Sequence, residues 1–141
     1  MASEMKNGQS GITITSVKGE KIVLTSTNTK IKFDTLEAEK VRSKSDAVSA
    51  MVIITGQINE TTDIGELEKV FNWSKTNNPD ENNRKLVIEY TKGTDEIRRS
   101  YEFSEMFVLN YEEYLTEAGT DSQYTLILRQ KEKCLDDIKT Y

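Results

Sequence analysis

The residues best suited to chemistry in this sequence are two adjacent acids, Glu112 and Glu113, within the stretch YEFSEMFVLNYEEYLTEAG (residues 101–119). A pair of carboxylates can act as general acid and general base when both reach one substrate. Adjacent residues of a β-strand point to opposite faces of the sheet, so these two acids cannot face one substrate together. We predict no catalytic role for them, and we expect Glu113 to face water or a basic residue of a neighbouring molecule.

Other reactive groups are scarce, because the chain contains one cysteine, Cys134, and no histidine. A lone thiol without a nearby base is normally passive, and Ser-His or Cys-His mechanisms need a histidine. Zinc, haem and most transition-metal sites also lose their usual ligands. The seven glycines are scattered along the sequence and form no phosphate-binding loop. The sequence therefore predicts no enzyme, no cofactor and no metal site.

The length of 141 residues predicts one domain, and 30% charged residues are typical of a soluble globular protein. A net charge of −5 argues against a nucleic-acid partner, which favours a basic surface. No stretch approaches the roughly 20 apolar residues of a membrane-spanning helix, so we expect no membrane insertion. Residues 1–10 lack the features of a secretory signal. We expect them to form a flexible arm, residues 11–141 to form the domain, and synthesis to be cytoplasmic.

Alternation of apolar and polar residues predicts β-strands along most of the chain. The predicted strands are residues 12–17, 20–25, 29–35, 50–58, 84–90, 97–103, 106–115 and 123–131. Their hairpin-like spacing predicts a mainly β fold, an antiparallel β-barrel or sandwich of about seven strands with one flanking α-helix.

The predicted helix follows a cap at Thr61, Thr62 or Asp63. Its apolar stripe, with spacings of three and four, consists of Ile64, Leu67, Val70, Phe71 and Ser74. Trp73 lies roughly 200° around the helix from Phe71. Two roles stay open for this tryptophan: packing at the edge of the core, or anchoring an interface between subunits.

Two further segments bear on assembly. Residues 106–109 are apolar on both faces, which predicts a strand covered on both sides or a bulge near Ser104 and Glu105. The second cover would come from the helix or from another subunit. Residues 37–46, EAEKVRSKSD, form either a solvated loop or an arm between subunits, with Val41 and Val48 as its apolar anchors.

The order of these features resembles the haemolysin-coregulated protein family, the inner-tube subunits of type VI secretion systems and related contractile tails. The resemblance covers residues 56–133: a helix ending in FNW, a polar turn, KLVIEY, a hairpin, and then YEFSEMFVLNYEEYLTEAGTDSQYTLILRQKE. The positions that match the family pattern are Phe103, Met106, Phe107, Val108, Tyr111, Glu113, Leu126, Leu128 and Arg129. Met106 replaces a residue that is usually small, and the C-terminal CLDDIKTY extends past the usual end.

The resemblance implies a β-barrel subunit that forms hexameric rings, which stack into a tube without any cofactor. Its partners would be further copies of itself, together with sheath, baseplate or effector proteins. The tube would assemble in the cytoplasm and be expelled by sheath contraction. Because tube subunits extend an arm across the next subunit, we predict an interface that includes Glu37, Lys40, Val41, Arg42, Lys44 and Val48. The predicted interface also includes Trp73, Met106, Val108 and Glu113.

Two other functions remain open at this point. A prophage tail-tube protein would share the fold and the mode of assembly. A monomeric β-sandwich that acts as a binding or immunity module would instead present its acidic surface to a basic partner. An enzyme is disfavoured, because the chain lacks histidine and lacks a convergent pair of acids.

Overall fold

The computed structural model describes residues 10–35, 48–92, 97–118, 120–131 and 134–140. Its strands are β1 (Ser10–Thr15), β2 (Lys21–Thr25), β3 (Asn28–Thr35), β4 (Val48–Gln57), β5 (Arg84–Lys92), β6 (Ile97–Tyr114), β7 (Gln123–Gln130) and β8 (Lys139–Thr140). The helices are α1 (Ile64–Lys75) and a single turn, α2 (Pro79–Asn82), and a 3₁₀ turn spans Leu135–Asp137. The predicted mainly β fold with one helix of several turns is confirmed. The predicted arm at residues 37–46 and most of the N-terminal arm lie outside the described residues.

The strands form one antiparallel sheet in the order β2-β1-β5-β6-β7-β4-β3, and β8 pairs with β6. Strand β6 is shared by two halves of this sheet, because Met106 pairs with Arg84 of β5 and with Gln130 of β7. We call β2, β1, β5 and residues 97–106 of β6 the first half-sheet. We call residues 106–114 of β6, β7, β4 and β3 the second half-sheet.

Two irregularities in β6 explain the change of phase seen in its sequence. Glu105 has a left-handed backbone (φ 54°), and the register with β5 shifts between the pairs Leu86–Phe103 and Arg84–Met106. The predicted bulge near Ser104 and Glu105 is therefore confirmed. A second register shift, against β7, falls at Leu109. Each bulge adds a residue and thereby resets which side chains point inward.

Both half-sheets and helix α1 pack around one buried core. All the described strands except β3 and β8 contribute fully buried or nearly buried apolar side chains, and Ile31 of β3 packs against the cluster. The curled sheet thus encloses one layer of side chains. The described helices include none that is long and apolar enough to span a membrane.

Helix α1 begins after Asp63, whose carboxylate accepts a hydrogen bond from the backbone N–H of Glu66. Its buried face consists of Leu67, Val70 and Trp73. The predicted stripe was wrong at its margins, because Ile64 and Phe71 are exposed. The reason is that the helix packs on β2 and β6 along residues spaced by three, so Trp73 replaces Phe71 on the inner face.

Trp73 is held from two sides. Its indole N–H donates a hydrogen bond to the carbonyl of Asn82 at 2.9 Å. The guanidinium of Arg84 lies 5.0 Å from the ring centroid and pairs with the Glu20 carboxylate at 3.0 Å. The buried arginine is thereby compensated by a carboxylate and an aromatic face. These contacts fix the helix against the first half-sheet.

Candidate subunit interface

The outer edge of β2, at one end of the sheet, is closed by helix α1. The Glu66 carboxylate accepts a hydrogen bond from the Val23 backbone N–H at 2.7 Å, and the Lys69 ammonium donates to the Lys21 carbonyl at 3.1 Å. The two side chains also pair with each other at 2.8 Å, and this contact raises the pKa of Lys69. An unpaired strand edge is a template for pairing with another chain. Here the side chains of Glu66 and Lys69 bond to the backbone groups of β2 that another strand would use.

The other edge of the first half-sheet is covered by the C-terminal segment. Strand β8 pairs with β6 through Tyr101–Thr140 and Glu102–Lys139. Ahead of it, Leu135 and Ile138 pack against the core. Residues 134–140 are therefore part of the fold, and β8 covers the edge of β6 opposite β5 at Tyr101 and Glu102. Burial, reinforced by neighbouring acids, raises the pKa of the Cys134 thiol on this segment.

Strand β3, at the far end of the second half-sheet, is paired along one edge only. Its eight residues pair with β4, and no described strand lies along its other edge. A cleft of about 250 Å³ adjoins the start of this strand and is lined in part by Ile31, Ile88 and Tyr90. The Thr29 hydroxyl is buried there and has no hydrogen-bond partner among the described residues. The outer edge of β3 therefore has no strand partner within the described part of the chain.

The second open edge belongs to residues 107–114 of β6. Strand β7 pairs with this segment on one side. On the other side β5 begins at Arg84, opposite Met106, so no described strand accompanies β6 beyond that point. Both edges of the second half-sheet are therefore open within the described part of the chain.

These two open edges differ in charge and share exposed apolar side chains. Strand β3 carries Lys30 and Lys32, whereas the end of β6 carries Glu112 and Glu113, both exposed. Phe33 on β3 is 55% exposed and Leu109 on β6 is 48% exposed. Exposed apolar groups beside unpaired backbone are unusual for a monomer. The edges are complementary in charge.

The adjacent acids occupy opposite faces, as their sequence positions predict. Glu112 pairs in register with the half-buried Thr125, and its carboxylate accepts a hydrogen bond from the Asn110 side chain at 3.1 Å. Glu113 pairs with the buried Tyr124, and it accepts a hydrogen bond from the Tyr111 hydroxyl. Burial, together with this carboxylate, raises the pKa of Tyr111, so the hydroxyl stays a donor. Within the described ranges, no cluster of three metal-ligating side chains occurs.

The residues predicted for an interface are spread over several environments. Trp73 and Met106 are 2% and 0% exposed, respectively, and lie in the subunit's own core, so they offer no surface to a second copy. Val48, at the start of β4, and Val108, on the core side of β6, are half-buried, and Glu113 is exposed on the open edge of β6. The following predicted residues lie outside the described part of the chain: Glu37, Lys40, Val41, Arg42 and Lys44.

No model of a known protein family matches the sequence, and no curated protein matches it either. Solved structures do match. Hcp1 from Flavobacterium johnsoniae aligns over 92% of this chain and 94% of its own, with a TM-score of 0.51 and 13% identity. The chain has the fold of Hcp1.

Two more matches agree with the Hcp-like fold. A type six secretion system protein aligns over 92% of this chain and 82% of its own, with a TM-score of 0.52 and 13% identity. A chain in the six-fold symmetrised baseplate of the anti-feeding prophage aligns over 97% of this chain and 94% of its own, with a TM-score of 0.51 and 7% identity. At these identities the likeness concerns the fold.

Proposed function

We propose that this protein is a structural subunit that assembles into rings, which stack into the inner tube of a contractile injection or type VI-like secretion system. The observation that carries the proposal is the second half-sheet, which is open at both edges on an Hcp-like fold. The first half-sheet is closed at both of its edges. Monomeric proteins usually cover or blunt their strand edges, so two open, complementary edges favour assembly.

The position of the open edges favours a ring over a two-fold dimer. Strand β3 and the end of β6 lie on opposite sides of the same half-sheet, separated by β7 and β4. If β3 of one copy meets β6 of the next, each copy uses two different surfaces. Such a heterologous contact closes into a ring when the rotation per subunit allows it. Six copies per ring is the number that the resemblance implies.

The remaining predicted partners are part of this proposal. Sheath, baseplate or effector proteins would bind the assembled tube, and the subunit would be made in the cytoplasm before the tube is expelled. We assign no catalytic role to the subunit. Val48, Val108 and Glu113 would lie at or near the contact between copies, and residues 37–46 would extend across the neighbouring copy. A prophage tail tube built from the same subunit would use the same contacts.

Light scattering and negative-stain electron microscopy across a range of protein concentrations test the proposal. We expect the mass to increase with concentration in multiples of the mass of one ring. We expect the images to show rings or stacked tubes. A mass that stays at 16.1 kDa at every concentration would contradict it. A one-to-one complex with a different, basic protein would support the monomeric binding module in its place.

A further inference from the structure

We propose that β3 of one copy pairs with β6 of the next copy as an antiparallel ladder in which Lys30 lies opposite Glu112. This inference rests on the proposed function and specifies how its subunits meet. The occupant of each open edge is a second copy of this chain. Three observations carry it: the direction of the strands, the distribution of charge, and the side chains on the inner face, among them the unsatisfied Thr29 hydroxyl.

Strand direction makes the contact antiparallel. The second half-sheet has the order β6-β7-β4-β3 with every neighbouring pair antiparallel, so β3 runs opposite to β6. Rotation about a ring axis keeps each strand's direction along that axis. The β3 strand of one copy therefore meets the β6 strand of the next in antiparallel sense, which continues the existing ladder. Each edge offers eight residues, Asn28–Thr35 and 107–114.

Charge on the outer face selects the register. Lys30 pairs in register with Ile53, so it lies on the face turned away from the core, as does Glu112 opposite Thr125. Lys32 already pairs with Asp34 at 3.3 Å, whereas Lys30 has no ion pair with a described residue. A shift by one residue would turn every side chain to the other face. Lys30 opposite Glu112 is the register that gives this lysine a carboxylate partner.

The inner face agrees with this register. Ile31 falls opposite Tyr111, and both side chains are half-buried against the margin of the core. Thr29, whose hydroxyl has no partner among the described residues, falls opposite the Glu113 carboxylate. Phe33 comes near the bulge at Leu109, where a second exposed apolar side chain lies. The alternative register, Lys32 opposite Glu112, would place Ile31 opposite the charged Glu113.

Disulfide trapping in the full-length chain tests the register. In a Cys134→Ser background, one variant carries Lys30→Cys with Glu112→Cys, and the matched control carries Lys32→Cys with Glu112→Cys. Residues directly opposite in an antiparallel pair come within disulfide range, whereas diagonal neighbours lie at its limit. Within one copy β3 and β6 are three strand spacings, or about 14 Å, apart, so every disulfide joins two copies.

We expect the variant with Lys30→Cys and Glu112→Cys to form disulfide-linked oligomers on mild oxidation. This linking should be at least tenfold faster than in the control. If rings form but the control links faster, or neither variant links, the proposed pairing is wrong while the ring survives. If the wild type and the Cys134→Ser chain both stay monomeric at every concentration, the proposed function fails and the pairing fails with it. Electron microscopy of the same samples separates these results.

Discussion

The two halves of the sheet differ in how their edges are finished. In the first half-sheet, Glu66 and Lys69 of helix α1 occupy the backbone of β2, and β8 lies along β6. In the second half-sheet, neither β3 nor residues 107–114 of β6 has a described strand paired along its outer edge. Both halves share one core. The same chain thus protects two edges and leaves two available.

If the chain assembles as proposed, this difference indicates which edges direct the assembly. Exposed strand edges invite pairing with any chain, and proteins usually blunt them with charges, short strands or covering elements. A subunit that must join its neighbours in one way benefits from leaving only the correct edges open. The complementary charges of Lys30 and Glu112 add selectivity, because like edges repel.

The largest effect is expected where the halves join. Met106 is fully buried and pairs with both β5 and β7, so Met106→Ala should lower the free energy of unfolding by about 2–5 kcal/mol. Met106→Leu, which keeps the volume, should cost less than about 1.5 kcal/mol. Denaturant unfolding followed by Trp73 fluorescence and by circular dichroism measures both. Two separate transitions would show that the halves do not share one core.

The second-largest effect is expected from charge reversal on the second half-sheet, which should weaken assembly. Lys30→Glu places two acids opposite each other, and we expect self-association to weaken roughly tenfold, equivalent to about 1.4 kcal/mol per contact. Adding Glu112→Lys should restore it. Lys85→Glu makes the same charge change on an exposed residue of β5 in the first half-sheet. Sedimentation measures the self-association of each variant. If Lys85→Glu weakened it as much as Lys30→Glu, the comparison between the two half-sheets would be contradicted.

A smaller effect is expected from unblocking β2. Glu66→Ala removes the acceptor of the Val23 N–H, and we expect a loss of about 1 kcal/mol of unfolding free energy. The Val23 amide should also exchange its hydrogen faster. Glu66→Gln keeps an acceptor oxygen and should recover part of the loss. Equal Val23 exchange in wild type and Glu66→Ala would mean that the helix does not protect this edge.

The smallest effect on stability is expected from ending the chain after Ile138. This removes β8, whose described pairing comprises two residues, but keeps Leu135 and Ile138 on the core. We expect the free energy of unfolding to fall by less than about 1 kcal/mol. In a chain carrying Lys30→Glu and Lys32→Glu, the truncation should introduce a new concentration-dependent association through β6. If the truncated chain stays as monomeric as its full-length counterpart, β8 is not needed to protect this edge.

Local periodicity was enough to predict most of the fold. Alternation located the strands, capping and spacing located α1, and the change of phase located the bulge at Glu105. The acids at 112 and 113 were correctly assigned to opposite faces. The inner face of α1 was only partly predicted, because Arg84 and Asn82, which hold Trp73 inward, lie beyond the helix in sequence.

The open edges could not be predicted in the same way. Whether a strand edge is free depends on sheet order, and neither Lys30 nor Phe33 carries a local signal of lying on an end strand. The closure of β2 likewise joins Glu66 to Val23 across 43 residues. Met106 was predicted as an interface residue because its segment is apolar on both faces. The two bulges account for that pattern within one subunit.

Hydrogen exchange measured on dilute and concentrated protein tests the central claim most directly. On assembly, we predict that amides on the outer edges of Asn28–Thr35 and of residues 107–114 become at least tenfold more protected. Amides of Lys21–Thr25, already covered by α1, should not change. Assembled particles in which the β3 and β6 edges exchange as fast as in the monomer, while β2 gains protection, would contradict the account.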